Sequence, residues 1–397
     1  MEITNWLPKL IFWIALLFIF YTYAGYPILL LIWAKVFPKP INKATPIEYP
    51  TVSVLIAAKN EEANIGPRIE NLLVQNYPEE KLEIIIISDG SGDRTNEIVS
   101  GFSDHLKGRK TTIELLALDK SKGKPNALNK GIELAKGEII VFTDARQKFD
   151  SNVIEELIAN FSDLTVGCVS GELLFVEDTD SNIKKEMGLY WKIEKIVRKL
   201  ESRIGSVVGA TGAIYAIRKS LYKELPEETL LDDVLTPMNI TLQGYRTIFE
   251  SDACAYDIVS QNVKQEWGRK VRTLAGNWQF INIKPELFFL THNPIWWRFL
   301  SHKIFRLLVP FFLPLLFASA LLSEGAFYMA FLFSQLFFYG MAASGWLNSA
   351  MQQYRIINLS YFFVVLNLAA LNGFWFWITG NCSQTWQDSE PSRGMVK

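Results

Sequence analysis

TVSVLIAAKNEE (residues 51–62) decides how the rest of the chain is read. Its first eight residues are apolar or small and rich in β-branched side chains, so they read as a strand buried on both faces. The run stops on Lys59-Asn60-Glu61-Glu62. Ile65, Ile69, Leu72 and Leu73 then recur at helical spacing until Tyr77-Pro78 ends the helix. The pattern repeats outward. LEIIIIS (82–88) is a second buried strand, followed by the turn residues Asp89-Gly90-Ser91-Gly92-Asp93. TTIELLAL (111–118) is a third, a helix follows around 124–135, and GEIIVFTDA (137–145) is a fourth strand that ends on a carboxylate. Strands alternating with helices predict an α/β domain with a mostly parallel sheet. Ligands of such sheets sit at the carboxyl ends of the strands. The polar clusters 59–62, 88–93 and 143–146 all fall there.

Charge is unevenly distributed around this domain. The 397 residues carry 40 Lys plus Arg against 41 Asp plus Glu, which argues against a nucleic-acid binder. Most of that charge lies in the middle. Residues 10–33 contain no Asp, Glu, Lys or Arg and exceed the roughly 20 residues needed to cross a bilayer. Further apolar runs occur at 304–322, 325–347 and 357–379, the first two joined by a turn too short to leave the membrane far behind. The segment 283–300 is aromatic but broken by Pro285 and Pro294, and reads as interfacial. Lys35, Lys39 and Lys43 follow the first span, and Arg298, Lys303 and Arg306 border the second. Both sets flank the central domain and predict that it is cytoplasmic, on a multi-pass protein of the cell membrane. The expected organisation is a span and linker (1–48), a catalytic domain (49–282), an interfacial segment (283–302), three spans (303–380) and a polar tail (381–397). Cys168, Cys254 and Cys382 have no metal-binding spacing and read as structural thiols.

No GxGxxG follows the first strand and no GxxxxGK[ST] occurs, which disfavours dinucleotide-dependent dehydrogenases and P-loop NTPases. The motifs that are present are Ala58-Lys59-Asn60-Glu61-Glu62, Ser88-Asp89-Gly90-Ser91-Gly92-Asp93-Arg94-Thr95, the run Lys122 to Asn129 (KGKPNALN), Thr143-Asp144-Ala145-Arg146, the run Gly205 to Tyr215 (GSVVGATGAIY), Leu231-Asp232-Asp233-Val234, and the run Gln265 to Gly276 (QEWGRKVRTLAG). Together they resemble the family 2 glycosyltransferases of GT-A fold, in the membrane-bound branch that includes the cellulose, chitin, hyaluronan and poly-N-acetylglucosamine synthases and ceramide glucosyltransferase. The resemblance covers about residues 50 to 280.

The resemblance implies a GT-A domain flanked by transmembrane helices and assigns a role to each motif. Ala58, Lys59, Asn60 and Glu61 stand at the donor-binding N-E-x. Asp89 contacts the donor base, a carboxylate being able to accept the imide N–H of uracil; on local sequence the same residues are equally a plain turn. Lys124 approaches the donor diphosphate. Asp144 matches the first acid of the D-x-D that positions a divalent cation, Mg²⁺ or Mn²⁺. Arg146 replaces the second acid, which leaves open whether it meets phosphate directly or points away. Asp233 is the general base and Asp232 its acceptor-side neighbour, although two acids opening a helix also favour its N-terminus. Gly212 lets backbone approach the sugar. Arg269 and Arg272 fall at Q/R-x-x-R-W and serve the diphosphate. Thr273 replaces the Trp of that motif, which weakens a processive reading and leaves Trp267 on the acceptor side, with Trp278 as a second aromatic candidate.

The expected activity is inverting transfer of a sugar from a nucleoside diphosphate donor, with uridine the expected base. The acceptor is a membrane-proximal polysaccharide in cell-surface polysaccharide synthesis or, alternatively, a membrane lipid. The expected partners are the donor, that acceptor, membrane lipids and export or assembly proteins, with no nucleic acid. An inactive membrane scaffold or transporter subunit is the alternative from another class; spans with almost no ionisable groups argue against the transporter.

Overall fold

The computed structural model describes residues 3–105, 110–176, 182–258 and 263–380; the tail assigned to 381–397 lies outside them. Its centre is an eight-stranded sheet, β1 (Val52–Ala58), β2 (Leu82–Asp89), β3 (Thr112–Leu118), β4 (Ile139–Thr143), β5 (Lys148–Phe149), β6 (Val166–Val176), β7 (Tyr215–Arg218) and β8 (Arg246–Ile258). The order is β3-β2-β1-β4-β7-β6-β8-β5. β1, β2, β3 and β4 pair in parallel, as the opening stretch predicts. Beyond β4 the sheet is mixed. β7 inserts antiparallel between β4 and β6, β8 runs parallel to β6, and β5 closes the edge antiparallel to β8. The expected mostly parallel sheet is therefore correct for the amino-terminal half and too simple for the remainder.

All seven residues of β1 are buried because its two faces enter different cores. Leu55 and Ala57 join Ile85, Ile87, Ile140 and Phe142 on one side. Val54 and Ile56 join Ile84, Ile86, Ile139 and Val141 on the other. Such residues alternate along each strand because successive side chains point to opposite faces. The first of these cores continues through Met238, Trp278 and Phe280 to Phe299, Ile304 and Leu307 at the start of the second span, with Phe374 and Trp377 of the fourth packed against it. Domain and helical bundle thus share one hydrophobic interior.

Among the described residues, four helices are long and apolar enough to cross a membrane: Trp6–Val36, Trp296–Leu322, Ala326–Leu347 and Arg355–Ile378. The interfacial segment assigned to 283–302 divides at Trp296. Before it lie a short 3₁₀ turn, Pro285–Phe288, and bends; from Trp296 onward the chain is helical into the second span. Pro294 falls just ahead of the helix, where a missing N–H does no harm, so it does not interrupt it. The start of the second span carries Arg298, His302, Lys303 and Arg306. Those groups turn toward the domain: Arg298 donates to the Ser206 carbonyl at 2.7 Å and Arg306 lies 2.9 Å from Glu194.

The fourth span docks on helix Val263–Ile283. A Cβ at Gly373 would lie 2.9 Å from Leu274 Cβ and 3.0 Å from the Ala275 nitrogen. Only glycine permits that approach, the device by which membrane helices pack closely. Gly373→Val is expected to destabilise the full-length protein by about 1–3 kcal/mol through overpacking. A melting curve in detergent checks this; an unchanged midpoint would mean that the two helices are not in contact in solution.

Candidate active site

The polar loops that leave the carboxyl ends of β1 and β4, with Lys124 after β3, line a cleft of about 590 Å³. A roomier hollow of about 690 Å³ opens at the amino ends of the same strands, beside Lys136–Ile139 and Arg218–Ser220, but it holds none of the motif residues. The chemistry is in the smaller one. Lys59, Glu61, Lys124, Asp144, Arg146, Gly212, Asp232, Asp233, Arg269 and Arg272 all line it. They come from six separate motifs spread over more than 200 residues.

Lys124 organises the acids. It opens helix Lys124–Leu134, a position where the helix dipole disfavours a cation. Two carboxylates outweigh that effect: Lys124 Nζ lies 2.9 Å from Asp144 Oδ1 and 3.5 Å from Asp232 Oδ2. Burial pushes the Lys124 ammonium pKa down, but Asp144, Asp232 and Asp233 together carry it above its ordinary value. Burial pushes Asp144 up; the charges of Lys124, Arg146 and Arg68 outweigh this and hold it below the usual carboxylate range. Arg68 reaches the site from behind the sheet. It is fully buried, donates to Thr143 Oγ1 (2.8 Å) and Asn71 Oδ1 (2.8 Å), and stacks on Phe149.

Asp232 and Asp233 open helix Asp232–Leu242, where its dipole favours them. They differ in environment. Asp232 is buried beside Lys124, and its Oδ2 accepts no hydrogen bond. Asp233 is raised from 3.8 to about 6, first by burial and then by the Asp232 charge, with Lys124 and Lys303 pulling the other way. A buried carboxyl raised in this way is the arrangement expected where an acid serves as a base near neutral pH. Gly212 lies against it: a Cβ there would come within 3.2 Å of Asp233 Oδ2. The absent side chain leaves the carboxylate open to the cleft.

Other sequence candidates lie elsewhere or act differently. Asp89 is fully buried and does not line the cleft. Its oxygens accept from Ser121 Oγ (2.6 Å), the Lys122 N–H (2.8 Å) and the Gly123 N–H (2.9 Å), so it holds the loop before Lys124. Asn60 adopts left-handed backbone, φ 55°, which Asn tolerates. Its N–H donates to Ser91 Oγ and its Oδ1 accepts from the Gly92 N–H, tying the loop after β1 to the loop after β2. Ala58 is buried; Ala57 reaches the cleft instead. Arg146 turns to β8, its Nε 3.2 Å from Asp257 Oδ2, which also accepts from Gln147 Nε2 at 3.0 Å. Where D-x-D has its second acid, this site therefore has a cation paired with an acid from another strand, and both line the cleft. Arg272 also reaches the cleft, with one long bond to the Leu230 carbonyl (3.5 Å).

Neither aromatic candidate takes the place of the missing Trp. Trp267 is half-buried outside the cleft lining. Trp278 is buried and stacks on Trp377 of the fourth span. The tryptophan that does line the cleft is Trp191, against Phe175. It shares helix Asn182–Arg203 with Glu194 and Arg198, two further cleft residues that no motif marks. Their spacing, three and then four residues, puts all three on one helical face.

For a divalent cation the donor set fits. Asp144 Oδ1 and Asp232 Oδ2, the latter without a hydrogen bond, lie 2.9 and 3.5 Å from Lys124 Nζ, and these two carboxylates are the oxygen donors that would take a divalent cation in its place. A second acidic cluster, Glu156, Glu250 and Asp252, lies outside the cleft, and Lys43 already bridges its two glutamates at 2.6 and 2.7 Å.

A mixed sheet with converging acids at its carboxyl ends, joined to a helical bundle, is the architecture of a GT-A glycosyltransferase. Residues 53–226 match the family described as Glycosyl transferase family 2. It is 27% identical over 300 residues to a protein named probable glycosyltransferase YdaM of Bacillus subtilis, a match covering 73% of this chain and 68% of that one. It is 26% identical over 251 residues to the poly-β-1,6-N-acetyl-D-glucosamine synthase of Staphylococcus aureus (strain COL), covering 59% of this chain and 57% of the synthase. The chain thus spans a little over half the length of that relative. Its fold matches that of a mannosyltransferase from Pyrobaculum calidifontis, solved with GDP-Man and Mn²⁺, with a TM-score of 0.71 over 96% of this chain and 100% of that one at 21% identity.

Proposed function

We propose that the protein transfers a sugar, with inversion, from a nucleoside diphosphate donor to a hydroxyl of a membrane-proximal acceptor saccharide in cell-surface polysaccharide synthesis. The catalytic domain faces the cytoplasm and the four spans are membrane-embedded. One observation carries this reading: Asp144, Asp232 and Asp233 converge around Lys124 in one cleft, beside the start of a membrane span. The polysaccharide-synthase relative supports the product class.

In the mechanism, the acceptor oxygen attacks the anomeric carbon on the face opposite the diphosphate. Asp233 takes the hydroxyl proton as that bond forms. The bond from anomeric carbon to diphosphate oxygen breaks, and the nucleoside diphosphate leaves. Lys124 and Arg272 hold the diphosphate, and Asp144 and Asp232 are the carboxylates that would hold a divalent cation. When bound, that cation neutralises charge on the leaving group. Asp89 acts on the donor through the loop it holds. Thr273 in place of Trp, its hydroxyl bonded back to the Arg269 carbonyl, favours addition of few sugars over long processive growth.

A nucleotide screen tests the donor site. UDP with Mn²⁺ or Mg²⁺ is expected to raise the melting temperature, a ligand at a hundred times its Kd adding about 2.7 kcal/mol. Asp144→Asn is expected to abolish the metal-dependent part of that rise and leave the metal-free part. GDP in place of UDP would reassign the base. If no nucleotide moves the midpoint, the donor reading fails.

A further inference from the structure

Among the described residues that line the cleft, Trp191 alone is aromatic; the others are charged, polar or aliphatic. It is 38% exposed. Its ring rests on Phe175 near the end of β6, with centroids 5.4 Å apart and planes at 56°. A buttressed indole in the wall of an otherwise polar cleft is a flat apolar surface of fixed orientation. A pyranose ring has the matching shape: its axial C–H bonds make an apolar face, and its hydroxyls project around the rim. Sugars therefore stack on indoles while their hydroxyls stay free to bond polar neighbours.

Position separates this surface from the donor loops. β6 runs in the same direction as β1, with β4 and β7 between them, so their carboxyl ends are about 14 Å apart across the sheet. Lys59 and Glu61 follow β1, and Trp191 stands on the far side of the cleft from them, over β6. The helix that carries Trp191 leads instead to the base. Arg198, two turns further along the same face, donates to Thr211 Oγ1 at 2.6 Å. The next residue is Gly212, where a Cβ would lie 3.2 Å from Asp233 Oδ2. Two turns of helix rise about 10 Å, the length of a disaccharide rather than of one ring. Between them Glu194 lies 2.7 Å from His302 and 2.9 Å from Arg306 of the second span, so this wall adjoins the membrane helices.

We propose that Trp191 is the platform on which the acceptor saccharide stacks, under a ring one or two units back from the one whose hydroxyl meets Asp233. This rests on the sugar-transfer reading above and on Asp233 marking the acceptor side. The site then prefers an acceptor of several sugars to a single sugar, because only the longer one reaches both the base and the indole.

Saccharide binding to the full-length protein in detergent tests the platform, with N-acetylglucosamine and its β-1,6-linked tetrasaccharide as probes. The parent is expected to bind the tetrasaccharide about tenfold more tightly than the monosaccharide. Trp191→Ala is expected to remove most of that preference, with monosaccharide and UDP affinities within about twofold of the parent. Trp191→Tyr keeps a ring and is expected to retain most of the preference. Equal binding of the two probes by the parent overturns the proposal, as does a Trp191→Ala variant that keeps the preference. A Trp191→Ala variant that loses UDP affinity also overturns it, because the ring would then serve the donor base. The two arms fail separately: a parent that binds no UDP sinks the donor reading, whereas normal UDP binding with no preference for the longer saccharide sinks the platform alone.

Discussion

Asp233→Asn is expected to lower sugar transfer by about 10²–10⁴-fold, the usual contribution of a positioned base, while nucleotide affinity stays near that of the parent. The side chains are nearly isosteric, and Asn cannot accept the proton. The pH profile gives an independent reading. A base raised to about 6 is ionised above that pH, so kcat/KM is expected to rise through pH 6 and level off. Asp232→Asn removes the neighbouring charge that helps raise Asp233, so the acid limb is expected to move to lower pH. Stability should change in the opposite sense to activity. A carboxyl at 3.8 unfolded and about 6 folded binds its proton more tightly in the folded state, so the stability it lends is present at low pH and lost as pH rises through 6. At pH 8 the neutral Asn avoids that loss, and the variant is expected to gain up to roughly 3 kcal/mol. A protein that melts higher and transfers nothing would separate the catalytic role from a structural one. A variant with unchanged transfer would remove Asp233 from the mechanism.

How much of this was legible in the sequence depends on the element. β1 to β4 were readable because each is a continuous apolar run ending on polar residues, and each end is local in sequence. Asp144 is readable for the same reason, while Lys124, Asp232 and Asp233 are singled out by the motifs that carry the family resemblance. β6, β7 and β8 were not: β7 is four residues long inside a small-residue stretch, and its antiparallel insertion follows from tertiary pairing alone. Asp89 was placed on the correct loop, but its carboxylate faces inward, because three donors from residues 121–123 converge on it. Nothing at position 89 announces those partners. Trp191, Arg198, Asp257 and Lys303 reach the cleft from a helix, a strand and a membrane span whose local sequence carries no motif. The one readable signal is Lys303 itself, a cation bordering an apolar run, which in the sequence marks orientation alone. The pairing of Arg146 with Asp257 likewise needed the β5–β8 edge to be known.

The largest expected loss of stability is in Glu201→Ala. Glu201 lies near the end of helix Asn182–Arg203, fully buried where the domain meets the first and second spans. One of its oxygens accepts from the Tyr26 hydroxyl of the first span and lies 2.8 Å from His302 Nδ1 of the second. The other accepts a long bond from the Val208 N–H at 3.4 Å. Burial pushes its carboxyl up, but His302 and the Tyr26 hydrogen bond outweigh this and hold it below the ordinary value. Truncation leaves Tyr26 and His302 facing a void with no acceptor, and breaking a buried charged contact in this way costs about 3–5 kcal/mol. For a protein of this size that lowers the melting temperature by on the order of 10 °C. Glu201→Gln keeps an acceptor and is expected to lose less. The network also reaches the cleft. His302 Nε2 bonds Glu194, a cleft-lining residue, while its Nδ1 bonds Glu201, so one imidazole fixes the second span against the wall that carries Arg198. Glu201→Ala is therefore expected to weaken acceptor use beyond what the lowered stability explains, measured as a higher acceptor KM well below the melting midpoint with donor KM unchanged. A Glu201→Ala protein that melts within about 2 °C of the parent would mean that the buried contacts at this junction do not hold the domain to the membrane helices.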